Sequence, residues 1–335
     1  MARRILISIA LGAIALLAPS CSKVSSYEQV RIEFAPMVAT KSFVAREEDA
    51  TFRTNGFSIF AWKANGNGET KKIFDATEGA AHPGAKVFYN GGKWDYSGNE
   101  YWSPMSTHHF MAIYPYKESG YSATFDSTTG DISVPVGTVS AGNGALPDIM
   151  YSSCERFYQI GDPITPVALE FHHACAAMTI RVRNGSEFKI NGISGITISK
   201  INRSGSLTLT SDGAIWSDAA TGDPITLNYS GGIIESGSLE YKDILDSEMI
   251  IPQDFTSATG ENEIVLNFTV DFESTDDKTY NIILSDISLP NGSAQDNYKF
   301  LPGKHYKYNL DITGSAIRFE VSIINWIEDD PIDLK

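Results

Sequence analysis

The chain has 335 residues, of which 42% are hydrophobic and 11% aromatic, and this is the composition of a globular protein rather than of a disordered one. Its 26 basic and 41 acidic side chains give a net charge of −15, which argues against a protein that binds nucleic acid by neutralising phosphates. The length predicts two domains of moderate size, and three cysteines are too few for a disulfide scaffold.

The beginning of the chain has the features of an export signal. Two arginines precede an apolar run at residues 5–18, which is shorter than the ~20 residues that a membrane-spanning helix needs. Ser20 and Cys21 follow, as a small residue and a cysteine do in the lipobox of bacterial lipoproteins. We therefore expect residues 1–20 to be a signal peptide and Cys21 to carry lipid. Ordinary signal cleavage beside a chance cysteine is the alternative.

The rest of the chain alternates apolar and polar residues, a pattern typical of half-buried antiparallel strands. The first such run has its apolar residues at Val30, Ile32 and Phe34. Later runs have their apolar residues at Met178, Ile180 and Val182, at Ile264, Leu266, Phe268 and Val270, at Tyr306, Tyr308, Leu310 and Ile312, and at Ile317, Phe319, Val321 and Ile323. Asn-Gly and Asp-Gly pairs between the runs favour hairpin turns. The sequence predicts an all-β protein made of β-sandwiches.

A domain boundary is predicted where Pro163 and Pro166 precede a new strand pattern. We expect an N-terminal sandwich over residues 47–162 and a C-terminal sandwich over residues 163–335.

The sequence contains no clear catalytic or metal-binding pattern. His108 and His109 are adjacent, as are His172 and His173, and neighbours on a strand point to opposite faces, so that such a pair cannot readily bind one metal ion. The spacings typical of zinc sites, nucleotide-binding loops and serine hydrolases are missing from the sequence. We therefore expect no catalytic residue, no metal and no cofactor, and we expect His172 and His173 to be structural residues of a strand.

Two further features have more than one interpretation. The acidic residues of one loop, from Asp271 to Asp277, suit calcium binding or a glycosidase pair, but a solvated acidic loop is favoured because the calcium-loop spacing is missing. Cys154 and Cys175 could form a disulfide in an exported protein, or could be buried thiols.

Aromatic residues are dense between Phe57 and Tyr121. They could form a stacking platform for glycans, for which we name Trp62 and Trp102 as candidates. Aromatic side chains more often fill the core of a sandwich, and this interpretation is favoured.

Several short motifs, taken in their order along the chain, resemble the fimbrillins of Bacteroidetes, which are the lipoprotein pilins of type V pili. They lie at Gly56–Ala61, Trp94–Tyr96, Tyr101–Pro104, Phe110–Tyr116, Asp148–Tyr151, Leu169–Ala174, Ile250–Gln253 and Asn325–Trp326. Together they extend over nearly the whole chain that follows the signal.

The resemblance implies two tandem transthyretin-like antiparallel β-sandwich domains and transport to the outer membrane as a lipoprotein. It also implies that a trypsin-like protease cuts after an arginine and removes the first strand, so that another subunit can donate a strand to the vacated groove. In this sequence residues 21–46 would be the lipidated segment, the strand at Val30, Ile32 and Phe34 would be removed, and Arg46 and Arg53 are the candidate cleavage sites.

The strand at Ile317, Phe319, Val321 and Ile323 is the candidate donor, and the alternative is that it closes its own domain. We expect a non-enzymatic fimbrial subunit or fimbria-associated adhesion lipoprotein on the cell outer membrane. Its expected partners are other fimbrial subunits and a ligand on a host or bacterial surface. A cell-surface glycan-binding lipoprotein that does not polymerise is the alternative.

Overall fold

The computed structural model describes residues 29–38, 50–74, 82–141, 145–254, 263–284, 299–313 and 316–325. In these ranges the chain consists of β-strands and one short helix, so the all-β prediction is confirmed. The predicted signal peptide, Cys21 and Arg46 lie outside the described residues. None of the helical segments described is long and apolar enough to cross a membrane.

The strands are numbered in chain order, and the helix α1 (Ala50–Asn55) lies between β1 and β2. The first ten are β1 (Phe34–Val38), β2 (Phe57–Asn65), β3 (Thr70–Ile73), β4 (Ala85–Asn90), β5 (Lys93–Tyr96), β6 (Ser106–Tyr114), β7 (Thr124–Phe125), β8 (Ile132–Ser140), β9 (Met150–Tyr158) and β10 (Val167–His173). The others are β11 (Ala176–Asn184), β12 (Ile190–Ser199), β13 (Asn202–Thr210), β14 (Gly213–Thr221), β15 (Ile225–Leu227), β16 (Lys242–Ile250), β17 (Gln253–Asp254), β18 (Val265–Phe272), β19 (Lys278–Ile283), β20 (Lys299–Phe300), β21 (Lys304–Ile312) and β22 (Ile317–Asn325).

The first half of the chain forms an eight-stranded sheet in the order β1-β10-β9-β6-β2-β4-β5, with β3 paired to β2. Strand β2 is buried on both faces, because its side chains alternate between two cores. Phe57, Ile59 and Ala61 enter the inner core, which the sheet itself encloses. Phe60 and Trp62 enter the shared core on the opposite face of the sheet.

The shared core joins the two halves of the chain. It lies between the eight-stranded sheet and a four-stranded sheet of order β14-β13-β8-β7. Strand β8 of the first half pairs with β13 of the second half, and Leu207 and Leu209 of β13 are buried beside Met111 and Ile113 of β6. Apolar burial therefore continues from one half of the chain into the other.

The second half of the chain forms a sandwich. Sheets of order β16-β11-β21-β22 and β15-β12-β18-β19 enclose a C-terminal core. The predicted runs at residues 178–182, 264–270 and 306–312 supply much of this core, so their alternation is explained by one buried face.

Two details of the strand predictions are corrected. Strand β1 runs parallel to β10, and β11 runs parallel to β21, although an antiparallel arrangement was expected. Alternation reports that one face is buried, which both arrangements allow. The strand expected at Val30, Ile32 and Phe34 begins only at Phe34, and Arg31 before it forms an isolated bridge with Tyr101.

The predicted boundary between residues 162 and 163 is also corrected. Strands β9 and β10 lie on either side of it, and they are neighbours in the same sheet, with His172 opposite Tyr151. Pro163 and Pro166 therefore mark a loop between adjacent strands. Apart from β7 and β8, which pair in the sheet that contains β13 and β14, the strands up to His173 belong to the eight-stranded sheet, and β11 then begins the C-terminal sandwich.

The aromatic and cysteine alternatives are decided by burial. Trp62 and Trp102 are each 5% exposed and pack in the cores, as the favoured interpretation expects, so the alternative that they are exposed residues for glycan stacking does not apply. Cys154 and Cys175 are free thiols rather than a disulfide. His172 and His173 end strand β10, as expected of structural residues.

Two buried histidines make the stability of the fold sensitive to acid. His108 packs against the Trp102 ring, and His305 contacts the Thr179 hydroxyl at 2.8 Å. Burial is the main cause that lowers the pKa of each to about 4. A histidine in an unfolded chain titrates near 6.5, so the unfolded state takes up protons first as the pH falls.

We therefore expect stability to fall from about pH 6.5 to about pH 4, by roughly 3 kcal/mol for each histidine. Thermal unfolding followed by circular dichroism across this range measures the slope, and His305→Gln should reduce it. His172→Gln replaces a half-buried histidine and is the matched control. An unchanged slope in His305→Gln would contradict the assignment.

Candidate functional site

Residues 30–38 close the eight-stranded sheet, and we call them the closing segment. On one side, Ile32 N–H donates to the carbonyl of Glu100 at 2.8 Å, and Trp102 N–H donates to the carbonyl of Val30 at 3.0 Å. On the other side, Val167 N–H donates to Glu33 at 2.7 Å, and β1 continues in parallel register along β10. The segment thus lies between the two ends of the sheet and bonds to both.

The side chains of the closing segment alternate as its sequence predicts. Ile32, Phe34 and Pro36 are buried, whereas Glu33 is exposed. Pro36 has no N–H group, and proline is tolerated where a strand pairs on one side, as β1 does with β10. The three buried side chains therefore fill consecutive positions along one side of the inner core.

Phe34 sits in a group of aromatic rings. Its ring centroid lies 5.7 Å from that of Phe74, 5.8 Å from that of Tyr96 and 6.1 Å from that of Phe110. These separations are typical of favourable aromatic pairs. Phe74 has a positive φ of 64°, which is unusual for a bulky residue, and it packs edge-on against Tyr96 at 4.9 Å. Phe34 thus joins β1 to the opposite end of the sheet.

Arg31 binds the same end of the sheet through its charge. Its Nη2 donates to Asp95 Oδ1 at 2.7 Å and to the Tyr96 carbonyl at 3.0 Å, and its guanidinium lies 4.1 Å above the Tyr96 ring. The Tyr96 hydroxyl donates to the carbonyl of Ile32 at 2.8 Å. Arg31 was not among the residues selected from the sequence, because a charged residue between apolar ones is expected to face water.

The pKa values of Asp95 and Tyr96, the two residues of β5 that Arg31 contacts, are both shifted. The hydrogen bond from Arg31, followed by that from the Tyr96 backbone N–H, holds the pKa of Asp95 below its ordinary value. Burial raises the pKa of Tyr96 to about 12. Asp95 is therefore ionised and Tyr96 is neutral at neutral pH, as the hydrogen bonds require.

Arg53, one of the two candidate cleavage sites, lies within helix α1. The preceding residue, Phe52, is fully buried, with its ring 4.8 Å from Tyr114 and 5.3 Å from Phe171. The Arg53 guanidinium stacks 4.3 Å over the Tyr89 ring. A protease would have to unfold the helix and extract Phe52 to cut here, so Arg53 is a poor substrate in the folded protein.

The candidate donor strand is part of its own sheet. Strand β22 pairs antiparallel with β21 along its whole length, from Ile317 opposite Ile312 to Asn325 opposite Lys304. It lies at the end of the sheet, and Val321 is 9% exposed against the C-terminal core. In this structure the strand closes its own domain, which is the second of the two interpretations given above.

The geometry is suited to binding a strand. If the closing segment were absent, backbone groups would be unpaired on both sides of a gap, and the positions of Ile32, Phe34 and Pro36 would be open to water. Backbone pairing on a sheet edge supplies affinity for an added strand, and pockets for alternate side chains supply specificity. Among the described residues, no three histidine, cysteine, aspartate or glutamate side chains form a group that could hold a metal ion.

Comparisons with known proteins connect this architecture to a family. A family model described as fimbrillin-like matches residues 45–326. No curated protein matches the chain. Among solved structures, a fimbrial protein from Bacteroides vulgatus has a TM-score of 0.60 at 16% identity, and the match covers 88% of this chain and 99% of that one. At this identity the likeness shows a shared fold.

Two other solved structures match over similar lengths with lower TM-scores. A proposed cell adhesion protein from Bacteroides ovatus has a TM-score of 0.47 at 16% identity, covering 90% of this chain and 99% of that one. The tip fimbrial protein Mfa3 from Porphyromonas gingivalis has a TM-score of 0.38 at 13% identity, covering 89% and 100%.

Phe34→Ala should lower the free energy of unfolding by about 3–5 kcal/mol, because it removes a large side chain from a packed core. Urea unfolding of the chain that begins at Ser22 measures the loss. Glu33→Ala is the matched control on the same segment, and it should change stability by less than about 0.5 kcal/mol because Glu33 is exposed. Equal effects of the two substitutions would mean that the closing segment does not contribute to the core.

Proposed function

Since the chain belongs to the fimbrillin-like family, we propose that it is a fimbrial subunit that loses its closing segment by proteolysis and then accepts a strand from another subunit. Family membership supports a fimbrial or adhesive role in a cell-surface appendage. The observation that carries the exchange is the double-sided pairing of residues 30–38 between the two ends of one sheet. The proposed role needs no catalytic group and no cofactor.

Loss of the closing segment would leave a groove with a strong tendency to bind a strand. The backbone of Glu100 and Trp102 on one side and of Val167 to Phe171 on the other would lack partners. Unpaired strand edges beside exposed apolar surface are templates for further strands. Since the donating and accepting surfaces differ, such a contact is heterologous and can continue into a filament.

Arg46 is the proposed cleavage site. It follows the closing segment and precedes helix α1, so a cut there separates β1 from the rest of the fold and leaves α1 intact. Cleavage after Arg53 would instead disrupt the helix whose Phe52 fills the inner core. The structure of the helix thus supports one of the two candidates over the other.

We propose that Cys21 carries a lipid that holds the unprocessed subunit at the outer membrane. The cut after Arg46 would then remove the anchor together with the closing segment. One proteolytic event would both release the subunit from the lipid and open the groove. This arrangement would couple detachment to assembly.

The pairing of β22 supports a place at one end of a fimbria. A subunit that accepts a strand and keeps β22 in its own sheet does not donate β22 to a neighbour, which suits the end of a filament. For β22 to serve as the donor strand within a stalk, it would have to leave β21. We propose a terminal or accessory subunit.

A chain that begins at Glu47 should be less stable than the chain that begins at Ser22, and should regain stability when a peptide of residues 28–40 is added, because the peptide rebuilds the backbone pairing and the core. Thermal unfolding with increasing peptide concentration measures the gain. The Phe34→Asp peptide should fail, and the Glu33→Ala peptide is the control that should succeed. If the Glu47 chain is as stable as the longer chain and ignores the peptide, strand exchange at this groove is wrong.

Treatment of cells with an arginine-specific protease, which spares Lys23 and Lys41, should release the protein from the membrane fraction with Glu47 as its new N-terminus. Arg46→Gln should block the release, whereas Arg53→Gln should not, since Arg53 is held in α1. Cys21→Ala should remove palmitate labelling and the protein should leave the membrane fraction without protease. N-terminal sequencing of the released protein gives the cut site, and a start at Thr54 would overturn the assignment.

A further inference from the structure

An open groove of about 740 Å³ lies on the outer face of the eight-stranded sheet, where the end of β2, the start of β6 and the end of β9 meet. We call it the β2–β6–β9 groove. The floor of the groove is formed by the same outer face of these strands that the shared core covers further along them. The shared core extends along this face as far as His109, whose ring lies 5.1 Å from that of Phe125 of β7. The volume lies within the ~300–1,000 Å³ that small-molecule sites occupy.

The groove carries two large apolar side chains that face water. Phe157 is 50% exposed and Met105 is 57% exposed. Met105 also has a positive φ of 54°, while its N–H donates to the Tyr158 carbonyl at 2.8 Å. An exposed aromatic ring on a rigid strand is costly to leave in water and offers a flat apolar face to a ligand.

Polar groups surround the exposed ring. The Glu155 carboxylate lies next to Phe157 on the lining and contacts His109 Nδ1 at 3.5 Å. Asn67 and Thr107 also line the groove. A carboxylate, an amide and a hydroxyl provide both donors and acceptors for hydroxyl groups of a ligand.

Among the described residues that line the groove there is no lysine and no arginine. Arg156, between Glu155 and Phe157 on β9, points to the opposite face of the sheet, where it lies 4.9 Å over the Trp102 ring and donates to the carbonyl of Thr165. Burial, the main cause, lowers the pKa of His109, so its ring is neutral at neutral pH. Among its described lining residues the groove therefore carries one negative charge, that of Glu155, which does not suit phosphate, sulfate or carboxylate ligands.

We propose that the β2–β6–β9 groove binds a neutral saccharide. The apolar face of a sugar ring would pack on Phe157, and its hydroxyl groups would bond to Glu155, Asn67 and Thr107. The chemistry fits this ligand class because an aromatic face, uncharged donors and acceptors and a single carboxylate are combined without a cation. The glycan interpretation of the aromatic residues thus applies to Phe157 rather than to the buried tryptophans.

The groove is independent of the proposed strand exchange. It opens on the face of the sheet opposite the inner core, whereas Ile32 and Phe34 of the closing segment are buried in the inner core. The chain that begins at Ser22 retains the closing segment, so saccharide binding can be measured without any assembly. A failure of the saccharide proposal therefore leaves the proposed fimbrial function untouched.

The test uses this chain and four neutral disaccharides, namely lactose, cellobiose, maltose and α-mannobiose, at millimolar concentrations. Saturation-transfer NMR detects binding and calorimetry measures Kd. We expect at least one to bind, and Phe157→Ala to weaken it about tenfold, which corresponds to about 1.4 kcal/mol. Glu155→Gln should weaken binding less than Phe157→Ala. Ile215→Ala, at a residue that is 56% exposed on β14, is the matched control and should leave Kd unchanged.

Three outcomes would overturn the proposal. Binding of none of the four sugars would exclude a neutral saccharide, and unchanged binding in Phe157→Ala would place the site elsewhere. Tighter binding of 3′-sialyllactose than of lactose would contradict the charge argument. A further experiment measures binding of the apolar dye ANS. Dye binding that depends on Phe157, without saccharide binding, would identify the groove as an apolar contact surface for protein.

Discussion

The fold of the first half depends on its first strand, because residues 30–38 close the gap between the two ends of the eight-stranded sheet. Ordinarily a sheet of this width ends in two unpaired edges. Here residues 30–38 bond to β10 on one side and to the backbone after β5 on the other, so the inner core is enclosed. The rings of Tyr96 and Phe110 in that core pack against Phe34 of this segment, so filling the gap helps to shield them from water. Stability and assembly are therefore properties of the same contact in the proposed mechanism.

The closing segment is held by two kinds of interaction that respond to different conditions. Burial of Ile32 and Phe34 is non-directional and insensitive to salt, whereas the Arg31–Asp95 pair is partly exposed and is weakened by salt. The apolar contacts of Ile32 and Phe34 can be supplied by any strand with the same alternation of apolar residues. The charged part requires an arginine at one position, which adds a means of telling the chain's own segment from a foreign one.

Much of the fold could be predicted because alternation is a direct record of which face is buried. The runs at Met178, Phe268 and Tyr308 became strands of the C-terminal core as expected. Alternation does not indicate which strand is the neighbour, so it could not predict that β1 pairs in parallel with β10. It also could not predict that β9 and β10, on either side of the expected domain boundary, pair in one sheet. The short helix α1 has too few residues for periodicity to appear, and burial of Phe52 is what fixes it. The sequence also does not tell which aromatic residues are exposed. Trp62 and Phe157 both lie on strands, but Trp62 is buried and Phe157 is half exposed.

The pairing of β8 with β13 has a mechanical consequence. A terminal subunit, as proposed, would be pulled between the filament and the surface or ligand that it holds, and a chain with independent halves would bend or extend at the connection. Here the ladder from Ser133–Thr210 to Ser140–Ser204, together with the shared core beneath it, links the halves directly. A hinge between them would need the rupture of many backbone hydrogen bonds at once. In such a filament, tension would therefore pass from one half of the chain to the other through the β8–β13 ladder and the shared core.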